Sequence, residues 1–312
     1  MKMILQIIFI LIVIIGLMIG AFALYIHLGD IPSYEVKAPS LSIQPDSSRL
    51  ERGAVLVTQI CANCHRGTNG KLNGAKLEAG LFGDVYAPNI TQHPEHGIGR
   101  YSDGELAFLL RTGIKKNGQY APPYMPKFPH MSDEDLFSII AYLRSDAAPV
   151  QASAKTHPDT KPAFTTKLLC HLVFKPLAYP EDPVIAPPKT DQVAYGRYLA
   201  TAVLECYTCH SEDFKTNNLL EPEKSPGYMG GGTTLLDDDG NPVLSANITM
   251  HPKDGIGRWT KAQFVKAVRF GRLPDSTLVS TAMPKYTAFS DEDIGTIWTY
   301  LKTVPALASP TK

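Results

Sequence analysis

The chain opens on a long, largely apolar run. Met3 to Ile26 holds 24 residues without a charge, and as a helix it would measure about 36 Å, enough to cross a hydrocarbon core of about 30 Å with some tilt. This predicts a single transmembrane anchor in residues 1–28. The rival is a secretory signal with Ala21-Phe22-Ala23 as a small-x-small cleavage site, although the run exceeds the usual length of a signal core. Either reading carries the rest of the chain across a membrane. Prolines 32, 39 and 45 make residues 29–45 read as a stalk.

Further on, apolar positions recur at helical spacing. Leu50, Ala54, Val57 and Ile60 form one such face, and Tyr195, Tyr198, Leu199 and Ala202 another. Two helices start at capping boxes, Ser102-x-x-Glu105 and Thr260-x-x-Gln263, and should stop at Gly113 and Gly271. Two more open at Ser132 and Ser290 with three acidic residues in the first turn. Their buried faces are Leu136, Ile139, Ile140, Leu143 and Ile294, Ile297, Trp298, Leu301. Little strand pattern is visible, so the expected fold is all-α.

These elements come in two copies. Asn89-Ile90-Thr91, Gly97-Ile98-Gly99-Arg100, Met125-Pro126-Lys127 and Ser132-Asp133-Glu134-Asp135 all recur 158 positions later. The divisions expected are residues 46–148 and 189–306 as duplicated domains, with 149–188 as a Pro-rich linker. A second match is closer: Cys61-Ala62-Asn63-Cys64-His65 returns as Cys206-Tyr207-Thr208-Cys209-His210, 145 positions on. The second copy therefore carries 13 extra residues between its pentapeptide and Asn247.

C-x-x-C-H is the attachment signature of c-type haem. Two thiols three positions apart can each add across one vinyl group, and the histidine that follows is held beneath the ring to ligate iron. Two such motifs predict two covalently bound haems c, on Cys61, Cys64 and His65 and on Cys206, Cys209 and His210. For the sixth ligand the repeat selects Met125 and Met283, which are shared and lie in Pro-rich loops. Met131 and His130 fall on Phe289 and Ala288 in the other copy. A His/Met pair raises the potential and fills both axial positions. His93 and His251 are also shared, so bis-histidine ligation is the main rival; core methionines are the bland alternative.

Composition adds exclusions. With 30 basic and 30 acidic residues the chain is neutral, which argues against a nucleic-acid partner. Four of the five cysteines sit in the pentapeptides, leaving Cys170 alone, with a buried thiol as its expected state. Zinc is a poor competitor for cysteine pairs that belong to separate copies. Asp237-Asp238-Asp239-Gly240-Asn241, in the insertion, lacks the spacing of a calcium loop and reads as a hairpin turn. Tyr101 and Trp259 are candidate walls of the two haem crevices.

The order C-x-x-C-H, Asn-Ile-Thr, Gly-Ile-Gly-Arg, Met-Pro, Ser-Asp-Glu-Asp and a closing Tyr-Leu resembles class I cytochrome c domains. It looks most like the cytochrome subunits of bacterial membrane-bound alcohol and gluconate dehydrogenases, over about residues 46–306. The resemblance implies two tandem class I cytochrome c domains behind an anchor in the bacterial cytoplasmic membrane, on its periplasmic side. It implies an electron carrier rather than an enzyme, with redox partners such as a dehydrogenase, a quinol-oxidising complex or a terminal oxidase. Such subunits usually carry three haems where two are expected here, which leaves a free-standing dihaem carrier open. The alternative class is a dihaem enzyme of the cytochrome c peroxidase or thiosulfate dehydrogenase type, which needs an open or unusual ligand position.

Overall fold

The computed structural model describes residues 1–309. Helix α1 spans Lys2–Leu28 and is solvent-facing along nearly its whole length, with Ile26 fully buried near its end. By length and composition it can cross a membrane. Residues 29–45 run back along the globular part: Tyr34 N donates to Gly118 O (2.8 Å), Tyr120 N to Pro32 O (2.9 Å) and Ile43 N to Asp103 Oδ2 (3.0 Å).

Helix α2 (Ser47–Leu56) is capped by Asp46, passes through a wider π-type turn at Val57–Cys61, and ends in the short α3 (Ala62–His65). Strands β1 (Ala75–Leu77) and β2 (Gly83–Ala87) pair antiparallel. Helices α4 (Asp103–Thr112) and α5 (Asp133–Leu143) follow, with Ser102 and Ser132 as caps. The Pro-rich segment then contributes β3 (Lys161–Pro162), which pairs with β2, and α6 (Phe164–Leu172).

The second half repeats the plan. Helix α7 (Gln192–Tyr198), capped by Asp191, runs through another π-type turn at Leu199–Val203 to α8 (Cys206–Cys209). Strands β4 (Thr234–Leu236) and β5 (Pro242–Leu244) form a hairpin around the acidic stretch, where Asp237 Oδ1 accepts from Asp239 N and Asn241 N. Helices α9 (Lys261–Phe270) and α10 (Asp291–Leu301) close the chain, capped by Thr260 and Ser290. Gly113 and Gly271 end α4 and α9 in the left-handed conformation, at φ 81° and 69°. All-α thus holds only roughly. The two small sheets escape a pattern reading because strands of two to five residues are too short to display period-two alternation.

In each half the first helix crosses the last at a glycine. A Cβ on Gly53 would lie 2.1 Å from Ser138 O, and one on Gly196 would lie 2.0 Å from Thr296 O. One apolar cluster, including Leu56, Ile139 and Ile140 of the first half and Leu199, Ile297 and Leu301 of the second, runs through both. Polar groups close the seam. Tyr198 Oη donates to Asp135 Oδ2 (2.6 Å) and accepts from Ser132 N (3.0 Å). Arg52 clamps the same Asp135 through two bonds of 2.7 and 2.8 Å, its guanidinium over the Phe289 ring.

Substituting Gly53 by Ala should cost about 1–3 kcal/mol, since the backbone of α5 must move to admit the methyl group; the shift in a denaturant midpoint measures it. The α4 capping box adds a pH dependence. Burial raises the Glu105 carboxyl, but its bonds to the Ser102 amide and Lys116 outweigh this and hold it below its ordinary value. A depressed carboxyl contributes stability that is present above its unfolded value and lost as pH falls through the folded one. Glu105→Gln, which copies the Thr260–Gln263 box of α9, should therefore lose less stability than the natural chain on acidification to about pH 3, read by thermal melting.

Candidate functional site

The first pentapeptide continues a helix re-phased by one wide turn, whereas the second follows a break at Leu204 and Glu205, the latter left-handed at φ 47°. Cys61 ends the first such turn, and Cys64 and His65 follow within α3. Cys206 and Cys209 are the ends of α8, with His210 just after it. All five cysteines are unpaired. Burial pushes the Cys61 and Cys206 thiols up to about 12 and raises those of Cys64 and Cys209. Burial thus favours the neutral thiol at all four.

Both histidines are fixed in the same way. His65 Nδ1 lies 2.7 Å from Pro88 O, and His210 Nδ1 lies 2.7 Å from Ala246 O. A carbonyl partner requires Nδ1 to carry the proton, which leaves the Nε2 lone pair free. Burial lowers the proton affinity of both rings, which favours the neutral form that can ligate a metal.

The shared Asn-Ile-Thr motif holds those carbonyls in place. Asn89 Oδ1 accepts from Thr91 N (2.9 Å) and Thr91 Oγ1 (2.7 Å), while its Nδ2 donates to Ser153 O (2.7 Å) and Lys155 O (3.1 Å). Asn247 bonds Thr249 at the same two distances and donates to Leu307 O (2.7 Å). The turn after Pro88 or Ala246 is thereby tied to the chain that leaves the last helix of its own half.

Met125 and Met283 are half-buried, each in a turn of the same form: Met125 N donates to Pro122 O and Met283 N to Ser280 O, both 3.0 Å. Met125 and Cys61 border the same apolar cluster, as do Met283 and Cys206. Met131, by contrast, is fully buried in the core. His93 Nδ1 accepts from the amides of Glu95 and His96, and His251 Nδ1 from that of Asp254, so both rings brace their own loops. Tyr101 and Trp259 pack at the edge of the core.

Arg111, unremarkable in sequence, is the residue that fastens the Met125 loop. Fully buried, its Nη1 donates to Phe128 O (2.8 Å), Pro129 O (3.2 Å) and Met131 O (2.5 Å), and its Nη2 to Asp133 Oδ1 (2.6 Å). Arg269, 158 positions on, repeats this with Thr287 O (3.0 Å) and Asp291. Lys127 adds bonds to Pro122 O (2.9 Å) and Met125 O (2.7 Å). The shared position of Arg111 and Arg269 was the available signal, but their acceptors are carbonyls, which have no sequence signature.

Residues 50–146 match the family model described as Cytochrome c. The chain carries a cytochrome c domain. Among curated proteins it is 30% identical to the fructose dehydrogenase cytochrome subunit of Gluconobacter japonicus, over 83% of this chain and 53% of that protein. It is 28% identical to the cytochrome c subunit of a quinone alcohol dehydrogenase from Gluconacetobacter polyoxogenes, over 83% of this chain and 57% of the relative. A protein named diheme cytochrome c-type from Cereibacter sphaeroides is 26% identical, over 79% of this chain and 82% of its own length. The chain spans little more than half the length of the two dehydrogenase subunits. Those two are named as cytochrome subunits of dehydrogenases.

A cytochrome c domain implies covalently bound haem c, and the residues present suit it. The thiols are unpaired and neutral, each imidazole is oriented through Nδ1 with Nε2 free, and a thioether stands in a braced loop.

Replacing Arg111 by Met should cost about 3–5 kcal/mol, because the Asp133 carboxylate and three carbonyls lose their cation. Arg269→Met, whose Asp291 partner is largely exposed, should cost clearly less. Denaturant unfolding of the two variants tests the difference.

Proposed function

We propose that residues 46–148 and 189–306 are two class I cytochrome c domains, each holding one haem c. The chain is anchored by residues 1–28 in the bacterial cytoplasmic membrane with both domains on the periplasmic side. It passes electrons from a dehydrogenase or quinol-oxidising partner to a downstream acceptor. The observation that carries this reading is the duplicated imidazole clamp, His65 to Pro88 O and His210 to Ala246 O, directly after each C-x-x-C pair.

When bound, haem c supplies one-electron chemistry at its iron. Cys61, Cys64, Cys206 and Cys209 would hold the two groups as thioethers. His65 and His210 offer Nε2 from one side, and Met125 and Met283 offer sulfur from the other, held by Arg111 and Arg269. Ligation by both imidazole and thioether would leave no open position for peroxide or oxygen, which favours a carrier over a dihaem enzyme. The core shared by the halves holds their separation fixed, and imidazole and thioether ligands together would keep rearrangement on electron transfer small. Packing of α6 against the end of α1, where Lys167 Nζ donates to His27 O (3.1 Å) and Gly29 O (2.6 Å), supports an anchor that stays in place. The names of the dehydrogenase cytochrome subunits support a redox-protein partner of that kind.

Purified full-length protein should contain two haems per polypeptide by pyridine haemochrome assay. Met125→Ala and Met283→Ala should each remove the far-red Met-to-ferric-iron absorption of one site and lower its potential. Survival of that absorption in both variants would rule out the methionine assignment.

A further inference from the structure

Helix α6 (Phe164–Leu172) lies in the segment between the two halves, and its surface divides into three stripes. Thr166 and Cys170 are buried against the body, with Thr166 Oγ1 donating to Phe82 O (3.1 Å). Lys167 and His171 face the end of α1: Lys167 through the two carbonyl bonds above, His171 through Asp30 O (3.2 Å) and an edge-on contact with the Tyr25 ring (5.6 Å). The third stripe is Phe164, Leu168 and Leu172, spaced four apart and so aligned on one side of a helix. At about 100° per residue it points directly away from the buried stripe. Phe164 and Leu172 are exposed, as is Val173 at the helix end.

This apolar face lies on the side away from the globular body, next to the stripe that packs on the end of α1. Lys161 and Lys175 flank it in sequence, both exposed. An amphipathic helix with apolar residues on one side and lysines at its margins suits the boundary between acyl chains and headgroups. Leu28, at the end of α1, is also exposed.

We propose that α6 is a second membrane contact, its Phe164–Leu168–Leu172 face resting in the surface of the bilayer that α1 crosses. The first domain would then be held flat against the membrane in one orientation and would not swing on a tether. The inference rests on the reading of α1 as an anchor.

The test uses the full-length haem-loaded protein in nanodiscs of phosphatidylcholine and phosphatidylglycerol containing a lipid with a photoactivatable acyl chain. Adducts are mapped by peptide mass spectrometry. Lipid adducts are expected in both α1 and residues 164–173. In the double variant Phe164→Glu, Leu172→Glu, adducts in 164–173 should fall several-fold while those in α1 and the haem absorption spectrum stay unchanged. Both substituted side chains are exposed, so the fold is spared. Adducts in α1 without any in 164–173 would overturn this inference and leave the anchor intact. Adducts in neither would overturn the anchor reading itself. Cross-links from 164–173 to a co-purified protein, in place of lipid, would assign the face to a partner subunit and also overturn the proposal.

Discussion

The arrangement depends on a single hydrogen bond made twice, from an imidazole Nδ1 to the carbonyl that precedes Asn-Ile-Thr. A histidine free to rotate about two side-chain torsions presents either nitrogen in many directions. One bond to a fixed carbonyl sets the tautomer, the plane of the ring and the direction of the other lone pair together. The carbonyl is fixed only because the asparagine beside it is spent entirely on local and cross-chain bonds. The wide turn in α2 and the glycine that lets α2 lie close on α5 serve the same end, bringing the pentapeptide to the turn it must meet.

The methionine loops are governed by long cations. Arg111 is completely enclosed, and its Nη1 gathers three carbonyls, those of Phe128, Pro129 and Met131, that no helix or strand would satisfy. The second half does the same with fewer bonds and more water. The flanking props differ too. Tyr120, in the first loop, is paired to the strap that follows α1, whereas Thr281, in the second, accepts from Asp238 N of the inserted hairpin. Equal donor sets thus sit in unequal frames.

Much of this was legible before any coordinates. The capping boxes, the two glycine stops and the serine-capped last helices are local devices whose partners lie three or four residues away, so sequence spacing reports them directly. The duplicated motifs marked the candidate site for the same reason. What stayed hidden depends on distance along the chain. Gln59 accepts from Ala288 N across 229 positions, Arg111 answers to carbonyls, and β3 exists only because β2 is there to receive it. The prolines of 29–45 and 149–188 read as a stalk and a linker, and they gave no hint that the first stretch hugs α4 or that the second contains α6.

The continuous core has a bearing on how such a molecule can be taken apart. Tyr198 of one half completes the cap of a helix in the other, and Leu56 and Leu199 belong to one packed interior. The two halves form a body that is not divisible in two. Either repeat expressed alone would expose an oily, half-finished face, and the pair should melt together as one cooperative block.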